Sequence, residues 1–213
     1  MTWFLKNKRI TILILIWYIG GIIGFSIPIL RPVFQILTPF GMVATTALLL
    51  WFHEKPDTKF WLAFSGIVLI SFFAEMIGVN TQRLFGDYQY GLALGSKILN
   101  TPLCIGLNWF VLVYCISCVF YRLSRRWFFP IVGSAIMVAF DWLMEPGAIA
   151  SGMWQWSQGS IPLKNYFDWF LVSLFLFLLT RILKVEFKNP VASLVFAMQI
   201  VFFLGLNIFT RIL

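Results

Sequence analysis

Apolar runs of about 20 residues fill most of this chain, and short polar connections separate them. A helix rises ~1.5 Å per residue, so ~20 residues cross the ~30 Å hydrocarbon core of a bilayer. A helix also satisfies its own backbone hydrogen bonds, as hydrocarbon requires. We therefore predict an all-α polytopic membrane protein, a bundle of about seven transmembrane helices in a single domain over residues 1–213. The runs are Ile10–Ile27, Val33–Phe52, Phe60–Val79, Pro102–Tyr121, Trp127–Met144, Tyr166–Leu183 and Val191–Ile212.

The composition excludes a soluble fold. The chain is 61% hydrophobic and only 11% charged, whereas soluble domains are about 25% charged. A soluble globule would leave many of the 24 Phe and 10 Trp on its surface. The net charge of +8 comes from short clusters between the runs, so it indicates topology and predicts no nucleic-acid partner.

The distribution of Lys and Arg predicts the orientation. Eleven of the 16 fall on the side of the N-terminus, and the other five fall on the opposite side. Because cytoplasmic loops are enriched in Lys and Arg, we predict a cytoplasmic N-terminus and an outer C-terminus in a multi-pass protein of the cell (inner) membrane. The eleven are Lys6, Lys8, Arg9, Lys55, Lys59, Arg122, Arg125, Arg126, Arg181, Lys184 and Lys188; the five are Arg31, Arg83, Lys97, Lys164 and Arg211.

Four acids lie at the predicted outer ends of the runs. Glu75 is in the third run, Asp141 is in the fifth with Glu145 four residues later, and Asp168 opens the sixth. Spacing of i and i+4 places Asp141 and Glu145 on one helix face. Intramembrane acids are costly and therefore functional candidates, although Asp141 could instead bond a neighbouring helix, and Glu145 and Asp168 could lie near water. Glu75 is the deepest and must find a partner on another helix or stay protonated.

These acids favour acid–base chemistry without a cofactor. A neutral carboxylic acid can protonate an unreactive apolar substrate, while a carboxylate in a wetter setting orients water. The sole histidine, His53, is in a predicted cytoplasmic connection, whereas membrane di-iron enzymes need several histidines, so we expect no metal site. No phosphate-binding loop or serine elbow is present.

Several residues have a plain packing interpretation. Gly20 and Gly24 form a GxxxG pattern, which is typical of close helix packing. Asn108 and Asn207 are expected to bridge helices more often than to contact a substrate. The two long outer connections, 80–101 and 145–165, are rich in Trp and Tyr, which are enriched at membrane interfaces but also suit a site on long loops.

The string of residues 75–90, EMIGVNTQRLFGDYQY, resembles the first signature of the membrane-integral carotenoid biosynthesis family, which contains the carotenoid hydratases. Three further segments resemble the family in order and lie at 94–109, 141–148 and 154–169. Together they cover the middle half of the chain. Two positions depart from the family pattern, since Gln82 and Asp168 stand where the family leads us to expect Gly.

The resemblance implies a carotenoid hydratase, a hydro-lyase that adds water to the terminal double bond of an acyclic ψ end group, as in γ-carotene, lycopene or a bacterioruberin precursor. It would give a tertiary alcohol through a cation that aromatic faces stabilise. We predict Glu75 or Asp141 as the acid, with Glu145 helping to place water. The predicted substrate-binding residues are Phe85, Tyr88, Tyr90, Asn108, Trp109, Trp154, Trp156, Asn165 and Trp169.

Two other functions remain open from the sequence. A carotenoid end-group cyclase would also protonate an alkene, but it would end by ring closure with no gain in mass. A non-catalytic carotenoid or lipid carrier, or a proton-coupled transporter, would use Glu75 as a relay. In each case the expected partner is a carotenoid or other apolar lipid within the bilayer, and docking of other carotenoid-pathway enzymes stays open.

Overall fold

A computed structural model describes residues 7–212, with side chains up to residue 209. Lys6 and the side chain of Arg211, both used in the charge count, lie outside the described residues. The elements in chain order are α1 (Lys8–Ser26), α2 (Arg31–Trp51), α3 (Thr58–Thr81), β1 (Tyr88–Tyr90), β2 (Lys97–Ile98), β3 (Thr101–Pro102), α4 (Ile105–Val119), α5 (Tyr121–Ser124), α6 (Phe129–Ala150), β4 (Trp154–Trp156), α7 (Leu163–Ile182) and α8 (Ala192–Ile212).

Six of these helices are long and apolar enough to cross a membrane, namely α1, α2, α3, α6, α7 and α8. The all-α polytopic architecture predicted from the sequence is therefore confirmed. Most predicted boundaries agree with the helix ends to within three residues. Helix α6 differs because it continues six residues past the predicted end at Met144, so Glu145 lies within the same helix as Asp141.

The fourth predicted span, Pro102–Tyr121, is wrong in length. Helix α4 has only 15 residues and is about 22 Å long at the usual rise. Pro102 instead pairs with Lys97 in a two-stranded ladder, and the helix begins after Cys104. Eleven of the 15 residues of α4 are buried, so this short helix forms the centre of the bundle.

The other helices surround α4. Helix α6 packs against α7 and α8, α8 also packs against α1, and α3 packs against α4. Asn207 on α8 bridges helices as expected, since its Nδ2 donates to the Leu143 carbonyl at 2.7 Å. The cysteines are free thiols within this packing, with Cys104 and Cys115 buried and Cys118 half-buried.

A two-stranded antiparallel ladder joins the two long connections. Strand β1 pairs with β4 in the register Tyr88 with Trp156 and Tyr90 with Trp154. The middle residues, Gln89 and Gln155, are exposed, whereas Tyr88, Tyr90 and Trp156 are buried and Trp154 is half-buried. Because side chains alternate along a strand, this ladder turns four aromatic residues to one face.

The two glycines of the GxxxG pattern in α1 have different surroundings. A Cβ at Gly24 would lie 2.2 Å from the Phe34 ring, which is close helix packing as expected. A Cβ at Gly20 would meet nothing within 4 Å. The packing prediction is therefore wrong for Gly20, because this face of α1 borders a cavity instead of a neighbouring helix.

Candidate active site

Glu75 lies near the outer end of α3 and is held by three aromatic donors. Its Oε2 accepts hydrogen bonds from Tyr88 Oη at 2.5 Å and from Tyr90 Oη at 2.6 Å. Its Oε1 accepts from Trp109 Nε1 at 2.9 Å. The side chain is 3% exposed, so these three donors replace water as its solvation.

The two phenols act only as donors to this carboxyl. Burial, with the Glu75 carboxylate as the next cause, raises the pKa of Tyr88 and of Tyr90 well above the usual range. Both phenols therefore keep their protons at any physiological pH. A carboxyl that accepts three hydrogen bonds is stabilised in its ionised form, so these three donors oppose the cost of burying a charge on Glu75.

Asp141 lies one helical turn before Glu145 on α6 and has a different surrounding. Its Oδ2 accepts one hydrogen bond, from Asn165 Nδ2 at 2.6 Å. Its Oδ1 is buried and has no hydrogen-bond partner among the described residues. A protonated Asp141 would carry its proton on an oxygen with nothing else to bind, which is the state a proton donor requires.

Glu145 receives its donors from the second connection. Its Oε2 accepts from Trp154 Nε1 at 2.9 Å and from Trp156 Nε1 at 3.0 Å. The β1–β4 ladder thus supplies hydrogen-bond donors to both carboxyls. The tyrosines of β1 donate to Glu75, and the tryptophans of β4 donate to Glu145. One small sheet fixes the relation between acids on two separate helices.

Asp168 lies on α7 but does not join the other acids. Its Oδ2 accepts from the Phe85 backbone amide at 2.7 Å and from Lys164 Nζ at 2.7 Å. The bonded loop contains Gln82 at φ 60° and Phe85 at φ 63°, a backbone region that disfavours side chains with a Cβ. Asp168 is therefore a brace that holds this loop, and through it β1, in place.

The three remaining acids line one small cavity of about 30 Å³. A cavity of roughly 10–15 Å³ on this measure holds one water, so this one has room for one or two. Every predicted site residue except Trp109 lines it. Trp109 instead donates a hydrogen bond to Glu75 and stacks on Trp169 with ring centroids 4.1 Å apart. Sequence reasoning missed Ile105 and Met144 in the wall, since an apolar residue in an apolar run carries no signal.

A larger apolar cavity of about 360 Å³ lies beside the first. Helices α1, α2, α4 and α8 supply most of its wall. Asn108 lines both cavities, and within residues 7–209 its side chain makes no hydrogen bond. Among the described residues the structure thus shows no bridge between helices through Asn108, contrary to the packing interpretation, and the residue forms part of the wall of both cavities.

His53 is at the other end of the bundle, between α2 and α3. Its Nδ1 lies 2.8 Å from Tyr114 Oη, and its ring stacks on Phe60 with centroids 3.8 Å apart. It is buried in this packing and has no contact with the acids. Among residues 7–212 no group of three or more His, Cys, Asp or Glu is arranged to hold a metal ion.

Comparison with known proteins identifies one family. A family model described as "Carotenoid biosynthesis protein" matches residues 36–212. The chain is also similar to the bisanhydrobacterioruberin hydratase of Haloarcula japonica, with 29% identity over 124 residues. That match covers 54% of this chain and 42% of the relative, so it spans less than half of the relative's length. No solved structure matches.

Proposed function

The chain belongs to the carotenoid biosynthesis protein family, and from that premise we propose that it is a carotenoid hydratase of the cell membrane. It adds water to the terminal double bond of an acyclic ψ end group and leaves a tertiary hydroxyl. The observation that carries the proposal is the pair of adjoining cavities. One is water-sized and lined by carboxyls, the other is apolar, and Asn108 lines both.

The first step is proton transfer from Asp141. The Asp141 carboxyl donates a proton to the less substituted carbon of the double bond, and the double bond's electron pair forms the new C–H bond. A tertiary cation remains on the neighbouring carbon. Asp141 suits this role because its Oδ1 has no competing partner, while Glu75 already accepts three hydrogen bonds.

The cation is stabilised by fixed charge and aromatic faces. Glu75 supplies a negative charge at the cavity wall, and Trp156, Trp154 and Trp169 supply π faces that attract a cation. Trp169 is held flat against Trp109, so its face is already oriented before the substrate binds. Preorganised groups of this kind stabilise a developing charge with no reorganisation during the reaction.

Water capture completes the reaction. A water in the small cavity adds through its oxygen to the cation, and its excess proton passes to the Glu145 carboxylate. Transfer of that proton to Asp141, one helical turn away, restores the starting state. The sum is one water added, with no cofactor, and the two tryptophan N–H groups on Glu145 Oε2 keep that carboxylate aimed at the water.

The test is expression in bacteria that make lycopene, followed by mass analysis of the pigments from cells grown in water labelled with oxygen-18, since only water capture brings this oxygen into the pigment. A hydratase gives a pigment heavier by one labelled water. Asp141→Asn is expected to lower its formation by roughly 10²–10⁴-fold, the usual contribution of a general acid. Glu54→Gln, the same kind of change at an exposed cytoplasmic-end acid, is the control and should leave the yield unchanged.

The other outcomes assign the alternatives. An unchanged mass with a new ring would indicate a cyclase, and unaltered pigment that purifies with the protein would indicate a carrier. Full activity in both Asp141→Asn and Glu75→Gln would overturn the mechanism. Loss in Glu75→Gln alone would exchange the roles of the two acids.

A further inference from the structure

The larger cavity reaches the lipid-facing surface of the protein. Trp17 on α1 and Leu37 on α2 line it and are 49% and 42% exposed. From there it runs inward, past Met42 and Val111, to Asn108 at the wall of the carboxyl-lined cavity. The apolar cavity thus opens towards the hydrocarbon phase and shares the wall residue Asn108 with the cavity that holds the acids.

Gly20 is the one glycine of this wall that leaves open space. A Cβ at Gly21 would lie 3.0 Å from Phe202, and a Cβ at Gly41 would lie 3.0 Å from Trp17. At Gly20 an added Cβ meets nothing within 4 Å. A larger side chain at Gly20 would therefore enter the cavity instead of displacing a neighbour.

We propose that the end segment of the substrate's polyene enters from the lipid between α1 and α2, lies in this cavity, and is limited in bulk by Gly20. The inference rests on the proposed hydratase function and names where its substrate binds. The occupant must be apolar, because all but a few of the lining side chains are apolar. It must also end near Asn108 to bring its last double bond to Asp141.

The size of the cavity fits an end segment. At about 360 Å³ it is at the low end of the roughly 300–1,000 Å³ of small-molecule sites. A whole carotenoid is too long for it, so the rest of the polyene remains in the hydrocarbon between α1 and α2. The bilayer solvates that part at no cost, and only the reacting end leaves the lipid.

Substitution of Gly20 tests the proposal by pigment retention. Protein is purified from lycopene-producing cells in the Asp141→Asn background, and bound lycopene per protein is measured by absorbance. Because one methylene in an apolar pocket changes discrimination by roughly 10–200-fold, Gly20→Leu should lower retention at least about tenfold and Gly20→Ala less. Leucine favours a helix more than glycine does, so the variant should fold.

Ala47→Leu is the matched control, since Ala47 is exposed on α2 and does not line the cavity. Equal retention by Gly20→Leu and Ala47→Leu would overturn the proposal. The same substitutions in the otherwise unchanged protein separate it from the hydratase assignment. Pigment that is bound in a Gly20-dependent way but never hydrated would remove only the hydratase, and hydration that is unaffected by Gly20→Leu would remove only the cavity as its binding site.

Discussion

Three buried carboxyls within one cavity differ in the number of donors that they receive. Glu75 accepts three hydrogen bonds, Glu145 accepts two and Asp141 accepts one. Each donor stabilises the ionised form, so the carboxyl with the fewest donors most readily keeps a proton. Residues of the same chemical type are therefore suited to distinct roles, because their neighbours supply different numbers of N–H and O–H groups.

His53 gives the protein a stability that depends on pH. Burial lowers the pKa of His53 below its usual value near 6.5, and this outweighs the opposite effects of Asp57 and Glu54. The unfolded chain then binds the proton more tightly, so this stability is present above about pH 6.5 and is lost as the pH falls. We expect the midpoint of thermal unfolding in detergent to fall from pH 7 towards pH 5, and to fall less in His53→Gln.

The matched comparison for His53 is the pH profile of Glu54→Gln, which alters an exposed neighbour. Because Glu54 raises the pKa of His53, its removal lowers that pKa further, and the unfolding midpoint should fall with pH at least as steeply as in the unmodified protein. Identical slopes in His53→Gln and the unmodified protein would show that another group titrates over this range.

The positions of the acids could be predicted from sequence, whereas their partners could not. Carboxyls in apolar runs stand out because hydrocarbon penalises them. Nothing in the sequence determines that Tyr88 and Tyr90 bind Glu75 while Trp154 and Trp156 bind Glu145. That choice depends on the register of strands from two connections more than 60 residues apart, which no local pattern specifies.

At the scale of elements, the loop between α3 and β1 depends on one acceptor from α7. Asp168→Ala would leave the buried Phe85 amide unpaired, which costs about 1–3 kcal/mol. Lys164→Met removes only a half-exposed ion pair (the Lys164 side chain is 46% exposed) and should cost less than about 1 kcal/mol. Denaturant unfolding of both variants measures the difference; equal losses would mean that the charge, not the amide bond, braces the loop.

Gln82 is in the left-handed region, where the family pattern led us to expect Gly. With φ at 60°, a residue with a Cβ carries a cost of roughly 1–2 kcal/mol. Glycine regains flexibility in the unfolded chain, so we expect Gln82→Gly to stabilise the protein by about 0.5–1 kcal/mol in thermal unfolding. Gln89→Gly, the same change in the exposed middle of β1, should destabilise it instead.

Helix boundaries were predictable where charges or turn residues mark them, as at both ends of α2. They were not predictable in α4, where apolar sequence continues through a strand pair and a cap before the helix begins. The prediction for α6 failed for a related reason. Pro146 suggests a helix end, but it lies inside α6, whose packing against α7 and α8 supports the helix beyond it.

At the scale of the whole molecule, the buried acids and the clusters of Lys and Arg lie at opposite ends of the bundle. Glu75 and Glu145 lie near the ends of α3 and α6, whereas the basic clusters precede those helices. The positive-inside rule then predicts that the acids lie in the outer half of the membrane. We expect Ser160→Cys to react with an impermeant thiol reagent in intact cells, and Glu54→Cys to react only after the membrane is opened.

Both positions are exposed, so a failure to react reports sidedness and not burial. The native cysteines give a low background because Cys104 and Cys115 are buried and Cys118 is half-buried. The reverse labelling pattern would mean that the topology is inverted.

The cavity between α1 and α2, unlike this topology, had no signal in the sequence, since a glycine facing a gap looks the same as a glycine in a tight helix contact.

Because of the ladder of β1 and β4, a shift of either strand by an odd number of residues affects the site differently from a shift by an even number. Alternate residues face opposite sides of a strand, so one residue inserted before Tyr88 would turn both tyrosines outward. Two inserted residues would restore the original facing of the side chains. The carboxyl would then keep its donors only if the residues that now face it carried the same N–H or O–H groups. A shift of either strand by one residue would therefore remove two donors of one carboxyl together, whereas a substitution of one aromatic residue would remove only one.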